Sequence, residues 1–141
     1  MNIAISTRVS SSPELAHRLC LAAQATEAGR ARSFTRQALE QWQVHGASAD
    51  VEQVVSELVS NAICHARRGG SGVILALRRD DSMISVEVFD GDPSVPVRRE
   101  PGLEADRGRG LKIVGALAAR WGYVAAAGGK CAWAEFDLPR D

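Results

Sequence analysis

The sequence predicts an α+β fold, a two-layer sandwich in which about three helices cover one face of a mixed, mostly antiparallel sheet. Patterns along the chain follow the order strand, helix, helix, two strands, long loop, helix, two strands. The later strands come in pairs joined by short turns, and helices must cover the apolar face of such hairpins. With 141 residues, 45% of them hydrophobic and 24% charged, the chain can form one domain with one core.

The first half of the chain is predicted to form one strand and two helices. Residues 1–15 are polar and rich in serine, so we expect a flexible N-terminal extension before a folded domain at 16–141. HRLCLAA, ending at Ala23, has the pattern of a short strand, and the segment after it has helical spacing with Thr26 as a candidate N-cap. Gly46 ends that helix, and the following SAD offers caps for the next one.

The second helix carries a line of polar side chains beside its apolar stripe. At about 100° per residue, one set of apolar residues faces the core. This stripe consists of Val51, Val54, Val55, Leu58 and Ala62, with Val59 at its margin. Glu57, Asn61 and His65 are four residues apart and therefore lie along the border between core and surface. Such a line is compatible with an ordinary amphipathic helix and also with the edge of a pocket.

The second half is predicted to form two hairpins and a third helix. VILALRRD and MISVEVFD have the pattern of adjacent strands joined by the turn DDS. GDPSVPVRREPGLEADRGRG contains three prolines and is expected to be a long loop, and loops of that length are usually functional or disordered. LKIVGALAARW has helical spacing, and YVAAA and CAWAEFDL are two closing strands with GGK as their turn.

Composition and charge disfavour several classes of function. Seventeen Lys and Arg residues balance seventeen Asp and Glu residues, which argues against a nucleic-acid binder that works through bulk charge. We expect a cytoplasmic protein without membrane attachment, because no targeting pattern and no apolar run near the roughly 18 residues of a membrane span is found. Cys20, Cys64 and Cys131 are odd in number and far apart, which disfavours a disulfide framework or a zinc site.

Two further features have both a chemical and a structural interpretation. GRGL, residues 108–111, lies where the long loop enters the third helix, and glycines there let backbone N–H groups approach a phosphate or simply form a turn. Asp90 ends a strand and opens onto the loop. Its carboxylate could accept a hydrogen bond from an exocyclic amine such as that of adenine, or it could cap a turn.

In this order, the motifs resemble those of the GHKL ATPases, which include gyrase-type topoisomerases, histidine kinase catalytic domains and anti-sigma-factor serine kinases. The resemblance covers about residues 21–138. ELVSNAICHA resembles the family's N box, DGDPSVP stands at the first glycine box, and GRGLKIVGALAARWG resembles the second. The closing GGKCAWAEFDL is similar to the last hairpin of the short, single-domain anti-sigma-factor kinase-like members.

The resemblance implies binding of ATP with Mg²⁺. It makes Asn61 the Mg²⁺ ligand, in keeping with the preference of magnesium for hard oxygen ligands, and Glu57 the general base. Asp90 would recognise the adenine amine, while His65 matches a position at the edge of the phosphate site, with a structural histidine as the alternative. Gly108, Gly110 and Leu111 of the second glycine box would bring backbone N–H groups to the phosphates, with Arg107, Arg109 or Lys112 adding charge. Lys130 is expected to be an exposed turn lysine, with a nucleotide contact as the alternative.

The first glycine box departs from the family pattern DxGxG. Asp90 is followed by GDPS at 91–94, so both motif glycines are missing. The first functional hypothesis is a serine/threonine protein kinase that binds a sigma factor and phosphorylates a small anti-anti-sigma protein. The alternative, motivated by the missing glycines, is a non-catalytic module that sequesters a regulatory partner.

The surroundings of the motifs narrow the choice within the family. No phosphotransfer helix pair precedes them and no transducer domain follows them, so we expect neither a sensor histidine kinase nor a topoisomerase. Short members of the class often dimerise, and a homodimer is therefore among the expected assemblies.

Overall fold

The protein alternates helices and hairpins as the sequence pattern predicts. The computed structural model describes residues 15–69, 72–92 and 105–139. The elements are β1 (Leu15–Leu21), α1 (Glu27–Gln41), α2 (Ser48–Gly69), β2 (Val73–Arg79), β3 (Met83–Asp90), α3 (Ala105–Leu117), β4 (Arg120–Ala126) and β5 (Gly129–Asp137). The predicted N-terminal extension, except Leu15, and residues 93–104 of the predicted long loop lie outside the described residues.

The strands form one five-stranded sheet in the order β1-β2-β3-β5-β4. Each pair of neighbours within it is antiparallel, so the predicted α+β sandwich is confirmed, with an antiparallel rather than a mixed sheet in the described residues. The central strand β3 pairs with β2 on one side and β5 on the other. In this register Asp90, at the end of β3, lies opposite Val73 and Lys130.

The helix α2 is buried along its predicted apolar stripe. All members of the stripe are enclosed in the core, with exposures of 3% or less. Val59, predicted at the margin, is also fully buried, because α2 packs against α1, α3 and β3. The inner face of β3 supplies Ile84, Val86 and Val88 to the same core. In the described parts of the chain, no helix combines the length and apolarity that a membrane crossing needs.

The boundaries of some elements differ from the prediction. The helix α3 begins at Ala105 and not at Leu111, so that Gly108 and Gly110 lie within its first two turns. Glycine disfavours a helix by only about 1 kcal/mol relative to alanine, and Pro101 is the last proline before this segment. Thr26 stands at the N-cap of α1 but makes no side-chain capping hydrogen bond.

The two hairpin turns have different chemistry. In the DDS turn, Asp80 Oδ1 accepts hydrogen bonds from the N–H groups of Ser82 and Met83 and from the Ser82 hydroxyl. The closing turn lies one residue earlier than predicted, at 127–128, where Gly128 has φ 77°. Gly129 and Lys130 are therefore the first residues of β5.

We expect the Leu58→Ala variant to lose about 2–5 kcal/mol of unfolding free energy, because Leu58 is 1% exposed in the centre of the stripe. Urea unfolding at constant pH measures this loss. Ser60→Ala, on the exposed side of the same helix, is the control and should change the unfolding free energy by no more than about 0.5 kcal/mol. Equal, small effects of the two substitutions would contradict the proposed packing of α2.

Candidate functional site

The polar line of α2 lies at the edge of the helical layer. Glu57 and Asn61 are half-buried and His65 is buried, as expected for side chains next to a core-facing stripe. About 12 Å of helix separates Glu57 from His65, at a rise of about 1.5 Å per residue. The Glu57 carboxylate accepts a hydrogen bond of 3.0 Å from the Gln53 side-chain amide, one helical turn earlier. That hydrogen bond restrains the orientation of the Glu57 carboxylate, which is the first of the three polar groups along α2.

The other end of the line meets the end of β3. His65 Nδ1 lies 3.9 Å from Asp90 Oδ2, with both side chains almost fully buried. This separation is longer than a hydrogen bond, so the two groups attract each other strongly only when the imidazole is protonated. The structure thus places His65 beside Asp90, at the opposite end of the line from Glu57.

Lys130 is buried against Asp90. Its ammonium lies 3.1 Å from Asp90 Oδ1 and donates a hydrogen bond of 2.9 Å to the Asp92 carbonyl oxygen. Asp90 Oδ1 also accepts a hydrogen bond of 2.8 Å from the Asp92 N–H, so this aspartate does cap a turn. The expectation of an exposed turn lysine is wrong, because the turn ends at Gly128 and the register of β5 turns Lys130 toward Asp90.

Gly129 allows the close approach that brings these groups together. A Cβ atom at this position would overlap the Asp90 carbonyl oxygen and the Gly91 Cα. Only glycine lets β5 begin this close to the end of β3. The sequence marks this position with a Gly-Gly pair, but either glycine could have formed the turn, so the partner of Asp90 could not be inferred from it.

The opposite side of the sheet has a small apolar cluster near the same strand ends. Phe89 and Cys131 are buried there, with Ile74 and Ala126 packed against them. Burial, and secondarily the nearby Glu87 carboxylate, raises the pKa of the Cys131 thiol to about 12. Cys131 is therefore a protonated packing residue at neutral pH, whereas Cys20 and Cys64 are exposed free thiols.

The second glycine box forms the start of α3, which packs on α2. Because the helix begins at Ala105, its unpaired backbone N–H groups belong to the turn that starts there. Arg107, Gly108, Arg109 and Gly110 lie along these first turns of the helix backbone, and their side chains are outside the described part. Leu111 is half-buried and Lys112 is exposed.

The polar side chains of the site suit a magnesium ion that has phosphate oxygens among its ligands. Among the described residues, no group of three or more His, Cys, Asp or Glu side chains is arranged to hold a metal ion alone. The half-buried Asn61 offers one hard oxygen, and magnesium commonly completes such a shell with phosphate oxygens and water. A nucleotide base fits less simply, since the Asp90 carboxylate that would recognise it already has partners within the protein.

Comparison with known proteins identifies the family. Residues 21–136 match the family model described as the histidine kinase-like ATPase domain. This chain therefore belongs to the histidine kinase-like ATPase domain family, which confirms the resemblance inferred from its motifs. No curated protein sequence matches it.

Solved structures confirm the fold. The chain is similar to the RsbU and RsbW domains of Rv1364c from Mycobacterium tuberculosis, with 23% identity and a TM-score of 0.65. That match covers 91% of this chain and 34% of the other, so this chain spans about a third of its length. It is also similar to the SiaB-SiaC complex from Pseudomonas aeruginosa, with 13% identity, a TM-score of 0.57 and coverage of 86% and 88%.

The three cysteines provide a direct check of the Cys131 environment. At pH 8.5 a thiol reagent should modify Cys20 and Cys64 in the folded protein but leave Cys131 unmodified, because its raised pKa and burial keep it protonated and enclosed. Mass spectrometry of tryptic peptides assigns each site, and the same reaction in denaturant is the control in which all three thiols react. Rapid modification of Cys131 in the folded protein would show that β3 and β5 do not enclose it.

Proposed function

We propose that this protein is an anti-sigma-factor serine/threonine kinase. In this role it binds Mg·ATP and a sigma factor, and transfers the γ-phosphate to a hydroxyl of a small anti-anti-sigma protein. The observation that carries the proposal is the placement of the α2 polar line. Its buried end lies beside a strand-terminal carboxylate at Asp90, and its other end carries a half-buried acid at Glu57.

This arrangement suits an extended nucleotide. The base would lie at Asp90 and the transferred phosphate near Glu57. Asn61 lies between them on α2, where its amide oxygen would help to hold Mg²⁺. The span of about 12 Å along α2 gives room for a sugar and phosphates between these ends. The helix α3 packs on α2, and its first turn would supply backbone N–H groups for the phosphates.

Glu57 is the proposed general base. Its carboxylate would accept the proton of the attacking hydroxyl as the hydroxyl oxygen bonds to the γ-phosphorus, while the bond from that phosphorus to the β-phosphate oxygen breaks and ADP leaves. The hydrogen bond from Gln53 would hold the carboxylate in position. Bound Mg²⁺ would supply charge neutralisation at the phosphates. Asn61 would contribute its amide oxygen as the protein ligand.

The assignment of partners depends on the resemblance of the motifs to the anti-sigma-factor kinases. The solved neighbours are consistent with it, since one contains an RsbW domain and the other is a SiaB-SiaC complex, although at 23% and 13% identity they carry the fold alone. The proposal places the protein in the cytoplasm and includes a homodimer as its assembly.

A non-catalytic, partner-sequestering module is the second candidate function. The observation that favours it is the buried Lys130–Asp90 ion pair, which occupies the carboxylate that base recognition would use. The absence of the motif glycines at positions 92 and 94 points in the same direction, because residues with side chains there hinder a close backbone approach to a nucleotide.

The Glu57→Gln variant should bind Mg·ATP as the wild type does but lose phosphate transfer by at least about a hundredfold, the usual contribution of a positioned base. Transfer of label from γ-labelled ATP to candidate anti-anti-sigma proteins measures it. Glu52→Gln is the matched control, because Glu52 lies on the same helix but pairs with Arg36 and should leave transfer unchanged. Undiminished transfer by Glu57→Gln would exclude Glu57 as the base.

The Asn61→Ala variant should lose the part of ATP affinity that depends on Mg²⁺. We expect calorimetric titrations to show binding about tenfold weaker than wild type in Mg²⁺ and equal to wild type with EDTA, since only the metal ligand is removed. Asn61→Asp keeps a hard oxygen and should restore most of the Mg²⁺-dependent affinity. An equal loss in Mg²⁺ and EDTA would assign Asn61 to a role other than metal binding.

A further inference from the structure

The ammonium of Lys130 is enclosed within the protein. The side chain is 1% exposed, and the Asp90 carboxylate beside it is 4% exposed. Lysine is rarely fully buried unless it is paired, and the pair here is completed by a second acceptor, the Asp92 carbonyl oxygen. This geometry fixes the ammonium between the start of β5 and the segment that follows β3.

The Asp90 carboxylate is buried, with two hydrogen bonds on one oxygen and a histidine facing the other. Oδ1 receives hydrogen bonds from the Lys130 ammonium and the Asp92 N–H, and Oδ2 faces His65 Nδ1 at 3.9 Å. Although a carboxylate has further acceptor capacity, burial prevents an outside amine from reaching it in this arrangement. An outside amine that bonds to Oδ1 must therefore compete with the Lys130 ammonium for that oxygen.

We propose that Lys130 sets the nucleotide affinity and base preference of this chain by competing with the base for Asp90. The inference depends on the proposed function in one respect, because it takes Asp90 as the carboxylate that recognises the base. On binding, the exocyclic amine of adenine replaces the ammonium on Asp90. Separating a buried ion pair requires free energy, and the affinity for the nucleotide falls accordingly.

The same step affects the segment after β3. Lys130 links β5 to Asp92 through the carbonyl hydrogen bond, and Asp92 in turn donates its N–H to Asp90. Movement of the ammonium removes the bond to the Asp92 carbonyl. Base recognition at Asp90 is thus coupled to the backbone that leads out of β3.

The sign of the effect separates this inference from simple electrostatics. Loss of a positive charge ordinarily weakens binding of a polyanion such as ATP. Removal of the Lys130 charge should instead strengthen it, because Asp90 becomes available. Lysine occurs only at positions 112 and 130, and the exposed Lys112 provides a control that loses the same charge without releasing Asp90.

The test is calorimetric titration of Mg·ATP into wild type, Lys130→Thr and Lys112→Thr. We expect Lys130→Thr to bind Mg·ATP about tenfold more tightly than wild type, because the charge-assisted hydrogen bond from Lys130 no longer competes with the base for Asp90. Lys112→Thr should bind no more tightly than wild type. The gain should be absent with Mg·ITP, whose base has a carbonyl in place of the amine; an equal gain with both nucleotides would overturn competition for the amine contact.

A second variant keeps the test valid if Lys130→Thr fails to fold, since that substitution leaves the buried Asp90 carboxylate with fewer partners. Lys130→Gln keeps an N–H donor for Asp90 without the charge, and it should give a smaller gain of the same sign. Circular dichroism confirms that each variant is folded. ATP affinities equal to or below that of wild type in the folded variants would overturn the inference.

The outcomes also distinguish this inference from the proposed function. If the wild type transfers phosphate and Lys130→Thr does not change the affinity for ATP, the kinase function is supported and the proposed role of Lys130 is contradicted. Tighter ATP binding by Lys130→Thr, with no transfer by either protein, would support the role of Lys130 and contradict the kinase. If neither the wild type nor the two Lys130 variants bind Mg·ATP, the kinase function and the proposed role of Lys130 are both contradicted.

Discussion

The packing of α2 on β3 determines where Glu57, Asn61 and His65 lie in the candidate site. The apolar stripe of α2 must be buried against the inner face of the sheet, and the side chains next to it are then fixed at the border of the core. This constraint keeps Glu57 and Asn61 half-buried and brings His65 to the end of β3. A rotation of the helix by one residue, about 100°, would remove the polar line from this border.

The second constraint is the register between β3 and β5, which places a cation on the carboxylate that is proposed to read the base. Buried ion pairs contribute little net stability once the loss of hydration is counted, but leaving one partner unpaired is costly. The proposed competition therefore involves two arrangements of Asp90 and Lys130, of which the structure contains the paired one. In one, the charges satisfy each other; in the other, a ligand must replace what the lysine provided.

The sequence predicted those features that follow from local periodicity. The stripe and polar line of α2 follow from helical spacing, and the position of Asp90 follows from the end of an apolar strand. The start of α3 was missed because glycines and charged residues resemble a loop until neighbouring packing is known. Lys130 was missed because its burial depends on the pairing of residues 40 positions apart, and no local pattern specifies which glycine forms the turn.

Under the proposed competition, a base that binds at Asp90 displaces the Lys130 ammonium, and a crystal structure of the wild-type protein with Mg²⁺ and a non-hydrolysable ATP analogue tests this directly. We expect the adenine amine within hydrogen-bond distance of Asp90, the Lys130 ammonium withdrawn from Oδ1, and the Asn61 amide oxygen on the metal. An intact Lys130–Asp90 pair with the adenine bound elsewhere would contradict both base recognition by Asp90 and the competition of Lys130 for it.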